Sequence, residues 1–271
     1  MVEGKEEFLV ATARAAGEIL IERRASGNSQ PISDGPEGLV TIADLDSEAA
    51  IRGAILAAFP GHKILSEEDL KHRTLRSYAL PAEDYLGDLW IVDPLDGTAN
   101  YARGSARVAV SIAYARDGVV EAGAVHAPFL GTTYSSTRGN GASYQDSQIP
   151  PRRPVALEEA IVGTGLAHGR DDRPAEAQRF GRLIRSSRDI RRTGCPSLDI
   201  CDVATGVLDA HTEDLAAWDI AAASLIAREA HAEVHHLRAR PETCPSDLFG
   251  LGFLIGAPAV AQALARVLGP S

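Results

Sequence analysis

Residues 89–98 leave this chain few ways to fold. Leu89 to Val92 is a compact apolar run that reads as a buried strand, and it ends in Asp93-Pro94-Leu95-Asp96-Gly97-Thr98. Pro94 fixes its own φ and carries no N–H, which stiffens the exit from the strand. Two carboxylates three residues apart can then face one point from a tight turn. Gly97 permits close backbone approach, and Gly97 and Thr98 can offer N–H groups to a phosphate at a helix start. A carboxylate beside a buried strand is costly unless it is paired or holds a cation.

The same context recurs elsewhere. Asp44 follows Val40-Thr41-Ile42-Ala43, Glu67 and Glu68 follow a short strand, and Asp219 sits in Trp218-Asp219-Ile220-Ala221-Ala222-Ala223. Carboxylates converging on one point bind hard divalent ions through oxygen, as magnesium requires. A pair of such ions can clamp a phosphate, activate a water and stabilise the leaving oxygen. Purely structural roles stand beside these: Asp44 as the cap of the following helix, Asp219 as a first-turn carboxylate facing the helix dipole. His231 and His235 are four apart, but they follow a helix where a turn is expected, which argues against a shared face. Cys195 lacks a histidine with a recognisable partnering motif, and there is no Gly-x-Ser-x-Gly to support a serine hydrolase.

The periodicity predicts a helix over 4–24, a loop from Gly27 to Gly38, and a second helix over 45–59 with Ala49, Ile55, Leu56 and Phe59 as its apolar face. A short strand follows at Lys63–Leu65. Hairpins are expected around Asp117-Gly118 and around Arg138-Gly139-Asn140-Gly141. The proline-rich stretch from Gln148 to Pro154 is the expected boundary between an N-terminal α+β domain, 1–148, and a C-terminal α/β domain, 149–271. In the second, strands at 160–164, 188–192, 207–211 and 252–256 alternate with helices at 174–186, 197–205 and 218–230.

A formal charge of −10 and a pI near 5.3 argue against a nucleic-acid polymer as partner. The acidic opening lacks a secretory h-region, no stretch has the apolar length of a membrane span, and Cys195, Cys201 and Cys244 lack Cys-x-x-Cys spacing. These features predict free thiols, no membrane partner and a cytoplasmic location.

With these residues assembled, the chain resembles the inositol monophosphatase family within the lithium-sensitive, magnesium-dependent phosphatase superfamily. Trp90 through Asn100 is similar to its first signature, and Trp218 through Ala223 with Arg228-Glu229-Ala230 to its second. Leu39-Val40-Thr41 with Asp44, and Ser66-Glu67-Glu68, resemble two lesser motifs in the expected order, and the likeness runs from about residue 5 to 265.

The resemblance implies a layered α-β-α-β-α sandwich, commonly dimeric, and two to three magnesium ions. Glu67, Asp93 and the carbonyl of Leu95 would hold the first ion, Asp93, Asp96 and Asp219 the second, and Glu67 would help with a third. Asp44 and Thr98 would position and deprotonate the attacking water, and Gly97 and Thr98 would bind the substrate phosphate through their N–H groups. Gly194, Cys195 and Pro196 would line the pocket. Arg103, Arg107, Arg191 and Arg192 flank the matched motifs, either as ordinary solvated charge or, with Arg192 counted among the substrate-binding candidates, to recognise a second anionic group on the substrate. One departure bears on the third ion, since no lysine stands between Gln30 and Gly38 to support its water network. The others fall on pocket positions: Gly104-Ser105-Ala106-Arg107 for a Gly-aromatic-Pro segment, Cys195-Pro196 for Ser-Ala, and His231-Ala232 for Gly-Gly. That pattern implies retained chemistry on an altered substrate. The expected substrate is a small phosphate monoester, such as an inositol, sugar or nucleoside phosphate. A bisphosphate nucleotidase, fructose-bisphosphatase, histidinol-phosphatase or specialised biosynthetic phosphatase of the same superfamily stays open, as does a non-catalytic phosphate-ligand binder.

Overall fold

The computed structural model describes residues 4–35, 38–70, 80–151, 153–166 and 173–269. Pro36 and Glu37 of the predicted loop, and Arg152 of the proline-rich stretch, lie outside them. Among the described residues, two large sheets and three helical layers alternate. Helices α1 (Lys5–Ala25) and α2 (Ile42–Ala58) cover one face of a seven-stranded sheet. Its strands run in the order β3 (Lys63–Ser66), β4 (Asp88–Asp96), β5 (Ala109–Arg116), β6 (Val119–Ala127), β7 (Thr132–Thr137), β8 (Ala142–Tyr144), β9 (Ser147–Gln148). Only β3 and β4 pair in parallel; the rest is antiparallel, with both expected hairpins present.

The middle layer is α6 (Pro196–Thr205) and α7 (Ala217–Glu229). Beyond it lies a five-stranded sheet of β11 (Asp189–Arg191), β10 (Ile161–Thr164), β12 (Ala210–Glu213), β14 (Phe253–Gly256) and β13 (Glu233–His236) in that order. The outer layer is α5 (Arg173–Ser186) and α8 (Pro258–Leu268). The short helices α3 (Glu67–Leu70) and α4 (Thr98–Ala102) follow β3 and β4. The result is the layered α-β-α-β-α sandwich.

Alternation in β5 shows how the sequence sorts its two faces. Val110, Ile112 and Tyr114 fill the core under α1 and α2, whereas Ala109, Ala113 and Ala115 face the middle layer. Small residues there let α7 come close, since α7 itself presents Ala221, Ala222 and Ala223. Gly123 of β6 is the tightest point: a Cβ there would stand 2.8 Å from the Ala222 Cα. Gly123→Ala is therefore expected to push α7 off the sheet at a cost of about 1–3 kcal/mol, read as a lower denaturant midpoint.

Three expectations need correction. β1 (Pro31–Gly35) and β2 (Gly38–Thr41) pair antiparallel, so Pro31–Gly35 is a strand where the composition from Gly27 to Gly38 predicts a loop. The second helix starts at Ile42, where Thr41 caps it, and its buried face is Ala43, Ile51 and Ile55; Ala49 and Leu56 are exposed. The strand expected at 207–211 is β12, three residues later, which places Glu213 at its end.

Candidate active site

The register of β4 explains how Asp93 and Asp96 come to share a site. Residues three apart on a regular strand point to opposite faces. Here Asp93 pairs with Ser111 and Asp96 with Ala109, so β4 spends one extra residue in between. This bulge, centred on Pro94 and Leu95, turns both carboxylates toward the middle layer while Leu95 packs under α1 and α2. There they meet Asp219 in the first turn of α7: one carboxylate oxygen from each of the three lies within 4.8 Å of the others. Asp93 and Asp96 are buried and Asp219 is half-buried.

Local contacts hold each acid in place. The Leu95 N–H donates to Asp93 Oδ1 at 3.0 Å, and the Ala216 N–H donates to Asp219 Oδ2 at 2.7 Å. Asp219 thus caps α7 as well as joining the cluster. Asp96 Oδ2 accepts from the Ser197 N–H at 2.8 Å, the Ser197 hydroxyl at 2.5 Å and the Cys195 thiol at 3.1 Å. The buried Ser47 hydroxyl donates to the Pro94 carbonyl at 2.8 Å and pins the bulge to α2.

Crowding like charges in a buried place has a clear electrostatic signature. Burial, then Glu67, Asp96 and Asp219, hold Asp93 well above the usual carboxylate range. Asp219 is raised in the same way by burial, Asp96, Glu67 and Glu213. Asp96 is raised by burial to about 6, with the donors from Ser197 and Cys195 opposing the shift. Among the described residues, no lysine, arginine or histidine stands within ion-pair distance of these three acids. An all-oxygen donor set with no neutralising side chain fits a hard divalent cation, and it fits no soft-metal site.

The remaining predicted residues are placed as follows. Asp44 is not the cap of α2 but its third residue, closing a capping box with Thr41: its Oδ2 accepts from the Thr41 N–H and hydroxyl at 2.8 and 2.7 Å. Its Oδ1 stays turned to Thr98, whose hydroxyl lies 3.1 Å away and also 3.2 Å from the Leu95 carbonyl. Glu67 is not among the three converging carboxylates, although its charge is felt by Asp93 and Asp219. Gly97 opens α4 with φ 89°, and a Cβ there would stand 3.1 Å from the carbonyls of Arg107 and Gly194. Asn100 ties that approach together, its Nδ2 donating to the Arg107 and Thr193 carbonyls at 2.8 and 2.9 Å. Gly194 is exposed, Cys195 is fully buried, Pro196 is the first residue of α6, and Arg192 is exposed.

Burial and the neighbouring Asp96 push the Cys195 thiol well above its ordinary value, so it is a protonated donor and no nucleophile. Arg107 is committed elsewhere: it pairs with Asp199 and Asp202, both at 2.9 Å, rather than standing free for an anion or for solvent. His231 has φ 70° in the turn after α7 and His235 lies in β13, so they share no helix face. The sequence reasoning missed Ser197 and Glu213. The first carries no motif of its own, and the second lay beyond the strand predicted at 207–211.

The model of the inositol monophosphatase family matches residues 2–268. The inositol-1-monophosphatase of Mycobacterium leprae is 35% identical over 250 residues, 90% of this chain and 82% of that protein. A putative Nus factor SuhB of Neisseria meningitidis is 34% identical over 229 residues, 80% of this chain and 81% of its own. The crystal structure of the extragenic suppressor protein suhB from Bartonella henselae superposes with a TM-score of 0.82 at 28% identity, covering 97% of each chain.

Proposed function

The chain belongs to the inositol monophosphatase family and is a phosphoric monoester hydrolase, and we propose that it hydrolyses the phosphate monoester of a small metabolite with magnesium as its cofactor. The observation that carries this reading is the convergence of Asp93, Asp96 and Asp219 within 4.8 Å, with no cationic side chain in ion-pair distance among the described residues. Asp93, Asp96 and Asp219 would hold one ion, and Asp93, Glu67 and the Leu95 carbonyl another. When bound, such ions neutralise the phosphate, lower the pKa of a coordinated water and stabilise the leaving oxygen.

The chain's own groups do the rest. Thr98 and Asp44 orient the attacking water, and its proton passes toward Asp44 Oδ1, the carboxylate oxygen turned to the Thr98 hydroxyl. The water oxygen bonds to phosphorus, the ester P–O bond breaks, and the alkoxide leaves to take up a proton, with no phosphoenzyme. Gly97 and Thr98 present backbone N–H groups to the phosphate, and Gly194 and Pro196 border the alcohol, whereas Cys195, fully buried with its thiol on Asp96, stands behind the pocket wall.

The test is phosphate release across inositol, sugar, nucleoside, bisphosphorylated-nucleotide and histidinol phosphates, each with magnesium, without it, and with lithium added. Release that needs magnesium and falls with lithium supports the proposal, and the preferred ester names the substrate class. The relatives named Nus factors favour a second reading, a Nus-factor role. A chain that takes up magnesium and releases no phosphate from any ester would overturn the catalytic reading in favour of that role or of a non-catalytic phosphate binder.

A further inference from the structure

We propose that Ser197, assisted by Cys195, is a positioning residue that fixes the Asp96 carboxylate for ion binding; the inference rests on the reading of Asp96 as a metal ligand. Three donors converge on a single oxygen, Asp96 Oδ2: the Ser197 hydroxyl at 2.5 Å, the Ser197 N–H at 2.8 Å and the Cys195 thiol at 3.1 Å. A carboxylate oxygen offers about two lone-pair directions, so these donors exhaust it. Oδ1 alone remains, and Asp96 meets an ion through one oxygen.

Ser197 and Asp96 lie 101 residues apart in sequence, and both are buried. A carboxylate crowded by Asp93 and Asp219 lowers its energy by swinging away from them. The donors at the start of α6 hold it against that repulsion. Pro196 at the first position of α6 locks φ there, so the Ser197 N–H and hydroxyl leave the helix start in one fixed direction. The hydroxyl is not serving as a helix cap, since a cap accepts from N–H groups of its own helix and this one donates across to β4.

The experiment is calorimetric titration of magnesium into the metal-free wild-type chain and into S197A, S197T, C195A and D96N, with thermal melts of each metal-free protein. S197A is expected to bind magnesium about 10–100-fold more weakly, the usual consequence of losing a partner that orients a metal ligand. S197T, which keeps the hydroxyl, is expected to recover most of that affinity, and C195A to lose less than S197A. S197A binding at wild-type affinity overturns the inference, even if its melting temperature drops, because a merely structural serine would do just that. If S197A does not fold, C195A with wild-type affinity overturns it in the same way. A wild-type chain that takes up no magnesium, or D96N that binds it undiminished, overturns the ligand reading of Asp96 instead.

Discussion

Asp93→Asn is expected to lower phosphate release at saturating magnesium by ~10³-fold or more, several kcal/mol of lost transition-state stabilisation. Asp93 is the acid on which the whole arrangement turns. It sits where β4 bulges, 1% exposed, and it is the one carboxylate assigned to both ions. Asparagine keeps the shape and can still accept the Leu95 N–H, which lies 3.0 Å from Asp93 Oδ1 in the native site. The fold is therefore expected to survive, with an unchanged circular dichroism spectrum, and the loss is expected in turnover rather than in the amount of folded protein. A variant retaining more than about a tenth of the wild-type rate would remove Asp93 from the mechanism.

The second large effect is on stability. Without metal, the chain is expected to become more stable as the pH is lowered from neutral toward about 6, the raised value of Asp96, and magnesium is expected to abolish that dependence. The sign follows from the raised carboxylates. Asp93 and Asp219 are held well above their ordinary value of 3.8, so above that value, and up to their folded values, the folded state keeps protons that the unfolded state has lost. Their favourable contribution is complete below the unfolded value and disappears as the pH climbs through the folded one. Asp96, raised to about 6, joins the trend as the pH falls through that value toward 3.8, and above it the ionised form carries a penalty of about 3 kcal/mol. Burial lowers the His126 pKa, which works in the opposite direction below its ordinary value of 6.5, so the rise is cleanest above that point. At a hundredfold excess over its dissociation constant, magnesium contributes about 2.7 kcal/mol, a rise of roughly 5–10 °C in melting temperature. Asp93→Asn is expected to melt higher than wild type without metal and to gain less from magnesium. A metal-free wild-type melting temperature that falls across this pH range contradicts the account.

Much of this site was legible in the chain because its acids sit in local contexts that can be read. Asp93 and Asp96 end a buried apolar run, Asp219 opens an alanine-rich helix, and Asp44 stands at the start of an apolar helix. The expected hairpins followed from Asp117-Gly118 and Arg138 to Gly141, where the backbone needs positive φ at Asp117, Gly118, Gly139 and Gly141. What escaped was non-local or compositional. The strand Pro31–Gly35 is built of turn-like residues and stands with β2 outside both large sheets, so its composition reads as loop. Leu56 looked like part of a buried face and is 47% exposed, because the buried stripe runs through Ala43, Ser47, Ile51 and Ile55 at four-residue spacing and the next residue turns away from it. Helix α8 was overlooked, although Pro258 at its start and Val260, Ala261 and Leu264 on one face were a usable signal. The pairing of Arg107 with Asp199 and Asp202, and of Ser197 with Asp96, joins residues 92 to 101 positions apart, and no local pattern announces it.

The most direct measurement compares two curves on one sample: magnesium binding by calorimetry and magnesium-dependent phosphate release from the preferred ester. If the carboxylates of Asp93, Asp96 and Asp219 hold the ions that enable hydrolysis, release rises with occupancy, stops on chelation and returns when magnesium is restored. Phosphate released at the full rate after chelation, or magnesium bound at these acids with no release at any occupancy, would contradict it.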